Sequence, residues 1–186
     1  MNLSRFPEVD LVFHLAAQAG VRASWGKSFE IYTRNNIEVT QKLLEFYKDK
    51  KIRKFIYASS SSVYGDADLP MTENGPLRPI SPYGVTKLAG ENLCYLYGNN
   101  YGLPTISLRY FTVYGPRQRP DMAIHKFVKS IIEEREISIF GDGTQKKKCV
   151  HHPGKESCQM NVARNIIQAR YTIQLYQEDT YAAYSK

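Results

Sequence analysis

Short apolar runs alternating with longer stretches of helical periodicity constrain this chain more than any other feature. Asp10-Leu-Val-Phe-His-Leu-Ala-Ala17 opens with a continuous apolar run, the pattern of a buried parallel strand. Residues 28–50 follow with Ile31, Val39, Leu43, Leu44 and Tyr47 at near-helical spacing. Arg53-Lys-Phe-Ile-Tyr-Ala58 is a second strand, and residues 65–82 form a loop dense in Gly, Pro and Asp. Tyr83 to Tyr101 reads as a second helix, ended by Gly102 and Pro104, and Thr105–Arg109 as a third strand. Beyond a Gly/Pro/Arg loop at 114–121 come a helix near 123–135 and a strand at Ile137–Phe140. Strands alternating with helices predict an α/β fold with a parallel sheet. The pattern changes at Gly143. Residues 145–155 show no strand or helix period, and Gln159–Tyr176 reads as a short helix. The residues after 145 are therefore expected to integrate poorly with the sheet.

Composition narrows the class. The chain has 186 residues, 42% hydrophobic and 23% charged, as in an ordinary globular protein, which argues against wholesale disorder. No apolar run reaches the ~18 residues of a membrane-spanning helix. Met1–Pro7 lacks the apolar core of a signal peptide, and Cys94, Cys149 and Cys158 are too scattered for a disulfide framework. A cytoplasmic protein without a membrane partner is expected. The net charge is +7, yet residues 1–145 hold 18 basic and 15 acidic side chains and are only mildly basic. Nucleic acid is not expected as a partner, since this balance suits an anionic small substrate equally well.

The strongest chemical signal is Tyr83-Gly-Val-Thr-Lys87. A tyrosine and a lysine four apart share one helix face, and a nearby ammonium favours the phenolate. Tyr83 is thereby suited to proton transfer. Alone, such a pair is usually a solvated helix face. Its context is Ala58-Ser-Ser-Ser-Ser-Val-Tyr-Gly65, which puts hydroxyls at the C-terminal end of a strand, the edge where open α/β sheets bind ligands. A plain Ser-rich turn is the simpler reading; hydroxyls gripping a sugar are the functional one.

Five stretches carry a resemblance when taken together: His14-Leu-Ala-Ala-Gln18, Asn35-Asn36, Tyr57–Gly65, Ser81-Pro-Tyr-Gly-Val-Thr-Lys87 and Leu108-Arg-Tyr-Phe-Thr-Val-Tyr-Gly-Pro116. They resemble the extended short-chain dehydrogenases/reductases, specifically the nucleotide-sugar epimerases and dehydratases, over residues 9–145. The resemblance implies a Rossmann-like, doubly wound parallel sheet and NAD as cofactor. It implies Tyr83 as acid/base, Lys87 on the nicotinamide ribose and Ser60 on the reacting hydroxyl. Leu15, Ala16, Ala17 and Gln18 would line the cofactor, with Asn35 beside it and Phe111 near the nicotinamide. The implied reaction is oxidation and re-reduction at C4 of a UDP-sugar, in a homodimer formed through the helix bearing Tyr83.

Within the family, 4,6-dehydratases place Asp-Glu where this chain has Ser61 and Ser62, and decarboxylases place Glu at the second position, so an epimerase is expected. Thr112 and the run Gly115-Pro-Arg-Gln-Arg-Pro-Asp-Met122 resemble UDP-glucuronate 4-epimerases. There Arg119 would meet the substrate carboxylate, helped by Thr112, Ser60, Ser61 and Ser62. A guanidinium fork suits a carboxylate, but it serves phosphate as well, so UDP-glucose/galactose stays as the alternative.

Two departures matter. The family's Gly-x-x-Gly-x-x-Gly turn, which seats a pyrophosphate on a helix N-terminus, has no counterpart in this sequence. The first βαβ unit and most of the C-terminal substrate lobe are expected to be missing. Residues 1–145 are thus read as a partial NAD-binding domain, and 146–186 as an atypical basic tail that a shifted reading frame at the lysine run would explain. Cys149, His151, His152 and Cys158 have metal-ligand identities without paired spacing, and no metal site is expected. Cys94 reads as core packing, and His14 as a strand-end residue rather than a general base. A non-catalytic remnant that pairs with another chain is the competing function, and a basic surface-binding module the third.

Overall fold

The computed structural model describes residues 7–67, 71–114 and 118–140, and the backbone of strands within 146–151, 157–161 and 173–176. Two compact units divide the chain, Met1–Tyr110 and Phe111–Lys186. In the first, strands β1 (Leu11–His14), β2 (Lys54–Ser60) and β3 (Thr105–Tyr110) form a parallel sheet in the order β1-β2-β3. The α/β fold with a parallel sheet is the one the alternation predicts. Register sets Val12 beside Phe55 and His14 beside Tyr57, and carries Phe55 and Tyr57 to Thr105 and Ser107. Because strand side chains alternate, this row faces the helices. The opposite face presents Leu11, Phe13, Ile106 and Tyr110, all exposed.

After two single 3-10 turns the first helical segment runs through α1 (Phe29–Tyr32), a π-helical stretch (Thr33–Glu38) and α2 (Val39–Tyr47). The sequence predicts an ordinary helix here. The π-helical turn has a packing reason. Tyr32, Asn36, Thr40 and Leu44 are all buried, each four residues after the last. In an α-helix every such step drifts roughly 40° around the axis. The wider turn absorbs that drift and keeps all four side chains aimed at the sheet.

Helix α3 (Pro82–Tyr101) is capped by Ser81, whose hydroxyl accepts from the Gly84 N–H at 3.1 Å, and has Pro82 in its first turn. Gly102, at φ 67°, ends it. Leu44, Tyr47, Ile52, Phe55, Tyr57, Cys94, Tyr97 and Leu103 form the core between sheet and helices. Cys94 is buried there, as core packing requires. No helix among the described residues is long and apolar enough to cross a membrane.

The second unit holds α4 (Ala123–Ile132) packed on β5 (Ile137–Phe140) through Phe127, Ile131, Ile137 and Ile139. Helix α4 stops short of the predicted residue 135 because Glu134 takes a left-handed φ of 51°. Strand β4 (Thr112–Tyr114) runs parallel to β6 (Lys146–His151), which pairs antiparallel with β7 (Ser157–Asn161). Strand β8 (Ile173–Tyr176) runs parallel to β5. These strands correct the sequence reading, which expects no regular structure at 145–155 and a helix over 159–176. Periodicity reads a segment alone, whereas a strand is decided by the partner that completes its ladder. Residues 162–172 of the expected helix, and His152, lie outside the described residues.

Helix α3 lies so close to β2 that a Cβ built on Gly90 would fall 2.2 Å from the Tyr57 hydroxyl and 2.5 Å from its ring. Helix propensity alone favours alanine over glycine by about 1 kcal/mol. Gly90→Ala should nonetheless destabilise the chain by about 1–3 kcal/mol, because the buried Tyr57 ring has nowhere to retreat. Urea unfolding checks this, and a midpoint above wild type would refute the contact.

Candidate active site

Strand β2 ends in the serine run, and alternation divides its hydroxyls. Ser59 turns under α3 and donates to the Glu91 carboxylate. The Ser60 hydroxyl instead caps the 3-10 turn Ser61–Val63, accepting from the Ser62 N–H at 3.2 Å and donating to the Ser62 hydroxyl at 3.2 Å. Ser60, Ser61 and Ser62 are half-buried at the C-terminal edge of the sheet.

Helix α3 meets this turn at Gly84. A Cβ there would fall 2.6 Å from the Ser62 carbonyl oxygen, so only glycine lets the helix N-terminus sit against the serines. Tyr83 follows from that approach. Its N–H donates to the Ser24 hydroxyl at 3.1 Å, and its ring meets Tyr32 edge-on, with centroids 6.2 Å apart. Ser24 in turn donates to the Val21 carbonyl at 2.6 Å, and the Tyr32 hydroxyl bonds the Ala19 and Gly20 carbonyls. The backbone and ring of Tyr83 are therefore fixed from the loop after β1.

One turn further along, Lys87 is 3% exposed. Its ammonium donates to the Ala58 carbonyl at 2.8 Å and lies 5.1 Å from the Tyr57 ring centroid. Those are its partners among the described residues, so two of its three N–H groups remain for a ligand. Burial lowers its pKa from 10.5 to about 8, which leaves it charged at neutral pH. His14 packs nearby, its pKa lowered to about 4 by burial and then by the Lys87 charge. His14 Nε2 lies 2.8 Å from the Thr40 hydroxyl, whose only proton goes to the Asn36 carbonyl at 2.6 Å. The imidazole must therefore donate through Nε2–H. It is a committed donor at the end of β1.

Asn36 closes the arrangement. Its side chain accepts from the Gln18 N–H at 2.7 Å and donates to the Gln18 carbonyl at 3.1 Å and the Thr86 hydroxyl at 2.9 Å. Thr86 donates to the Tyr83 carbonyl at 2.8 Å. One buried amide thus joins the loop after β1 to the helix bearing Tyr83 and Lys87. The sequence reading places Asn35 at the cofactor; Asn35 is half-buried, and among the described residues the amide that makes these bonds belongs to its neighbour. Leu15, Ala16 and Ala17 stand exposed just beyond β1, with Gln18 half-buried behind them.

Under the serine turn, Arg109 holds Glu91 through Nε at 3.0 and 3.2 Å and Nη2 at 2.9 Å. Its Nη1 reaches the Tyr64 hydroxyl at 3.1 Å and the Glu73 carbonyl at 3.0 Å. This pair fixes β2, β3, α3 and the loop near residue 73 to one another. The sequence reading missed Ser24, Tyr32, Asn36, Thr86 and the Arg109–Glu91 pair. The buried four-residue spacing from Tyr32 to Leu44 is the signal that could have located Asn36.

Structure thus brings Tyr83, Lys87, Ser60–Ser62 and Gln18 to one sheet edge. The exposed apolar ledge at 15–17 and the two spare Lys87 donors fit the ribose and nicotinamide end of NAD. Phe111, Thr112 and Arg119 belong to the second unit. Phe111 and Thr112 are half-buried, and the Arg119 guanidinium grips the Asp121 carboxylate through Nε and Nη2. That contact holds the Asp121 carboxyl below its usual range. Arg117 lies outside the described residues.

Both buried bases bind protons less readily when folded, so the unfolded chain holds the extra protons and stability rises with pH across each window. The windows run from about 4 to 6.5 for His14 and from about 8 to 10.5 for Lys87. Lys87→Met should therefore be more stable than wild type at neutral pH, with the gap closing toward pH 10. Paired urea titrations at several pH values check this, and a constant gap would contradict it.

Residues 2–152 match the model of the NAD dependent epimerase/dehydratase family. The chain is 52% identical over 139 residues to an uncharacterized UDP-glucose epimerase of Bacillus subtilis, covering 75% of this chain and 44% of that protein. It is 49% identical over 138 residues to a UDP-glucuronate 4-epimerase of Thermodesulfobacterium geofontis, covering 74% and 42%. Among solved structures it resembles the UDP-glucuronic acid 4-epimerase from Bacillus cereus in complex with UDP-glucuronic acid and NAD. That likeness has a TM-score of 0.81 at 42% identity and covers 91% of this chain and 63% of the other. The chain thus spans less than half the length of these two sequence relatives. With the sheet, the serine turn and the Tyr83/Lys87 helix in the arrangement described, the chain belongs to the NAD dependent epimerase/dehydratase family.

Proposed function

We propose that the chain carries the sugar-oxidising site of an NAD-dependent nucleotide-sugar 4-epimerase, with UDP-glucuronate as substrate. The observation that carries this reading is the buried Lys87 ammonium, held on the Ala58 carbonyl one helical turn from Tyr83. Tyr83 takes the proton of the sugar 4-hydroxyl and later returns it. Lys87 favours the phenolate by its charge and donates to the cofactor's ribose hydroxyls. Ser60 bonds the reacting hydroxyl, and Ser61 and Ser62 contact the sugar. Leu15, Ala16, Ala17, Gln18 and Asn35 line the cofactor, with Phe111 assigned to the nicotinamide. Bound NAD would supply reversible two-electron oxidation at C4. Ser61 and Ser62 present hydroxyls, not the carboxylic acids a dehydratase needs to expel water. The buried free Cys94 suits a reducing, cytoplasmic setting.

Thr112 and Arg119 are assigned to the substrate carboxylate on their chemistry. The Arg119 fork already donates to a carboxylate, that of Asp121, in the bidentate manner a uronate would require. The same contact favours UDP-glucose as a second reading, because a uronate must displace Asp121 whereas a neutral sugar need not. Relatives named for UDP-glucuronate and for UDP-glucose support both.

The test is NAD content and NAD titration of the purified chain, followed by turnover of both sugars. Stoichiometric NAD is expected; Lys87→Met should weaken it by about tenfold. Tyr83→Phe should retain NAD and lose about 10²–10⁴-fold in turnover. A folded chain without NAD overturns the reading and leaves a non-catalytic interaction module. Arg119→Ala should raise KM for UDP-glucuronate by about tenfold and leave UDP-glucose unchanged. Equal effects on both sugars would favour the second reading.

We also infer a homodimer through α3, on which Val85, Tyr95 and Leu96 are exposed, Tyr95 by 70%. Sedimentation should show a dimer that Tyr95→Asp converts to monomer, and a monomeric wild type would contradict the inference.

A further inference from the structure

At the end of the sheet opposite the serine turn, the N-terminal ends of β2 and β3 border a groove of about 520 Å³. Lys48, Asp49, Lys50, Lys51, Arg53 and Tyr101 line it, over a floor that includes Ile52 and Leu103. Its volume lies in the range of small-molecule sites. The stretch Lys48-Asp-Lys-Lys-Ile-Arg-Lys54 holds five cations and one acid, and so four of the chain's seven net positive charges.

The ordinary explanation is that cations gather where helices end. Both α2 and α3 terminate here, but two helix C-termini supply only about one negative charge between them. Lys48 is in addition paired with Glu45 at 2.5 Å. Lys50, Lys51, Arg53 and Lys54 have no carboxylate hydrogen bond or ion pair among the described residues. The cationic excess therefore exceeds what the fold requires.

The backbone beneath the rim, and two of its side chains, are also fixed in advance. Lys50 Nζ stands 3.6 Å above the Phe46 ring centroid, and Lys48 Nζ lies 4.9 Å from that of Tyr101. Arg53 and Lys54 both donate their N–H to the Asp10 carbonyl, at 2.7 and 3.3 Å. The Lys50 N–H donates to the Tyr47 carbonyl and that of Ile52 to the Lys50 carbonyl, both at 3.0 Å. The backbone that carries Lys51 and Arg53 is thus ordered before a ligand binds, which lowers the entropy lost on binding.

We propose that this groove binds a compact anion of several phosphates, with Lys50, Lys51 and Arg53 as its donors. Arg53 offers the planar fork that phosphate oxygens accept in pairs, and the lysines supply point charges beside it. The site is separate from the Tyr83/Lys87 edge and does not rest on the epimerase reading.

Calorimetric titration of the full chain with inorganic tripolyphosphate near physiological ionic strength tests it. Saturable binding of one anion per chain is expected. Lys51→Glu/Arg53→Glu should weaken it by about tenfold or more. Lys42→Glu/Lys129→Glu, which changes net charge equally at exposed helical positions elsewhere, should leave it unaltered. Absence of saturable binding overturns the site, as does equal weakening by both pairs, which would reduce the effect to net charge. Binding lost only in Lys87→Met would place the anion at the other edge and overturn the proposal as well.

Discussion

Everything at the candidate site depends on how closely α3 lies on β2. Two glycines six residues apart remove the side chains that would hold the helix away, one over the Ser62 carbonyl and one over the Tyr57 ring. That proximity lets a lysine from the helix reach past the sheet surface to the Ala58 carbonyl, and it brings the Tyr83 backbone within reach of Ser24. Without it the serine turn and the tyrosine would belong to separate surfaces. The close packing is also why the lysine is buried, and that burial lowers its pKa.

A ring of polar contacts holds this approach from below and from the side. Arg109 and Glu91 bind strand end, helix and loop together in a nearly enclosed pair, a geometry whose value lies in fixing one arrangement more than in net stability. Asn36 does the corresponding work on the β1 side with a neutral amide. The two anchors use different chemistry for the same task, and neither belongs to the reacting groups.

Much of this was legible beforehand. Apolar runs located β1, β2 and β3 to within a few residues, and the serine run was read at the C-terminal end of a strand, where the structure has it. Ser59 shows the limit: four serines look equivalent in sequence, yet strand alternation sends one beneath the helix to Glu91. Asn36 is not singled out beside Asn35 in the sequence, because an α-helical wheel does not contain the wider turn that aims Asn36 inward. Arg109 and Glu91 are 18 residues apart, and their pairing is a product of the fold. The strands after residue 145 escaped notice for the same reason: β6 forms against β4 and β7, and β8 against β5.

The π-helical stretch makes the length of its segment a specification in its own right. Deleting one residue between Thr33 and Glu38 would let an ordinary helix form with better backbone hydrogen bonds. Eleven α-helical steps turn through about 1,100°, only about 20° from three full turns, so Tyr32 and Leu44 could still face the sheet together. The extra residue instead sets what lies between them: it lets Asn36 and Thr40 share the inward face with both ends, where an unbroken helix of the present length would drift by about 120°.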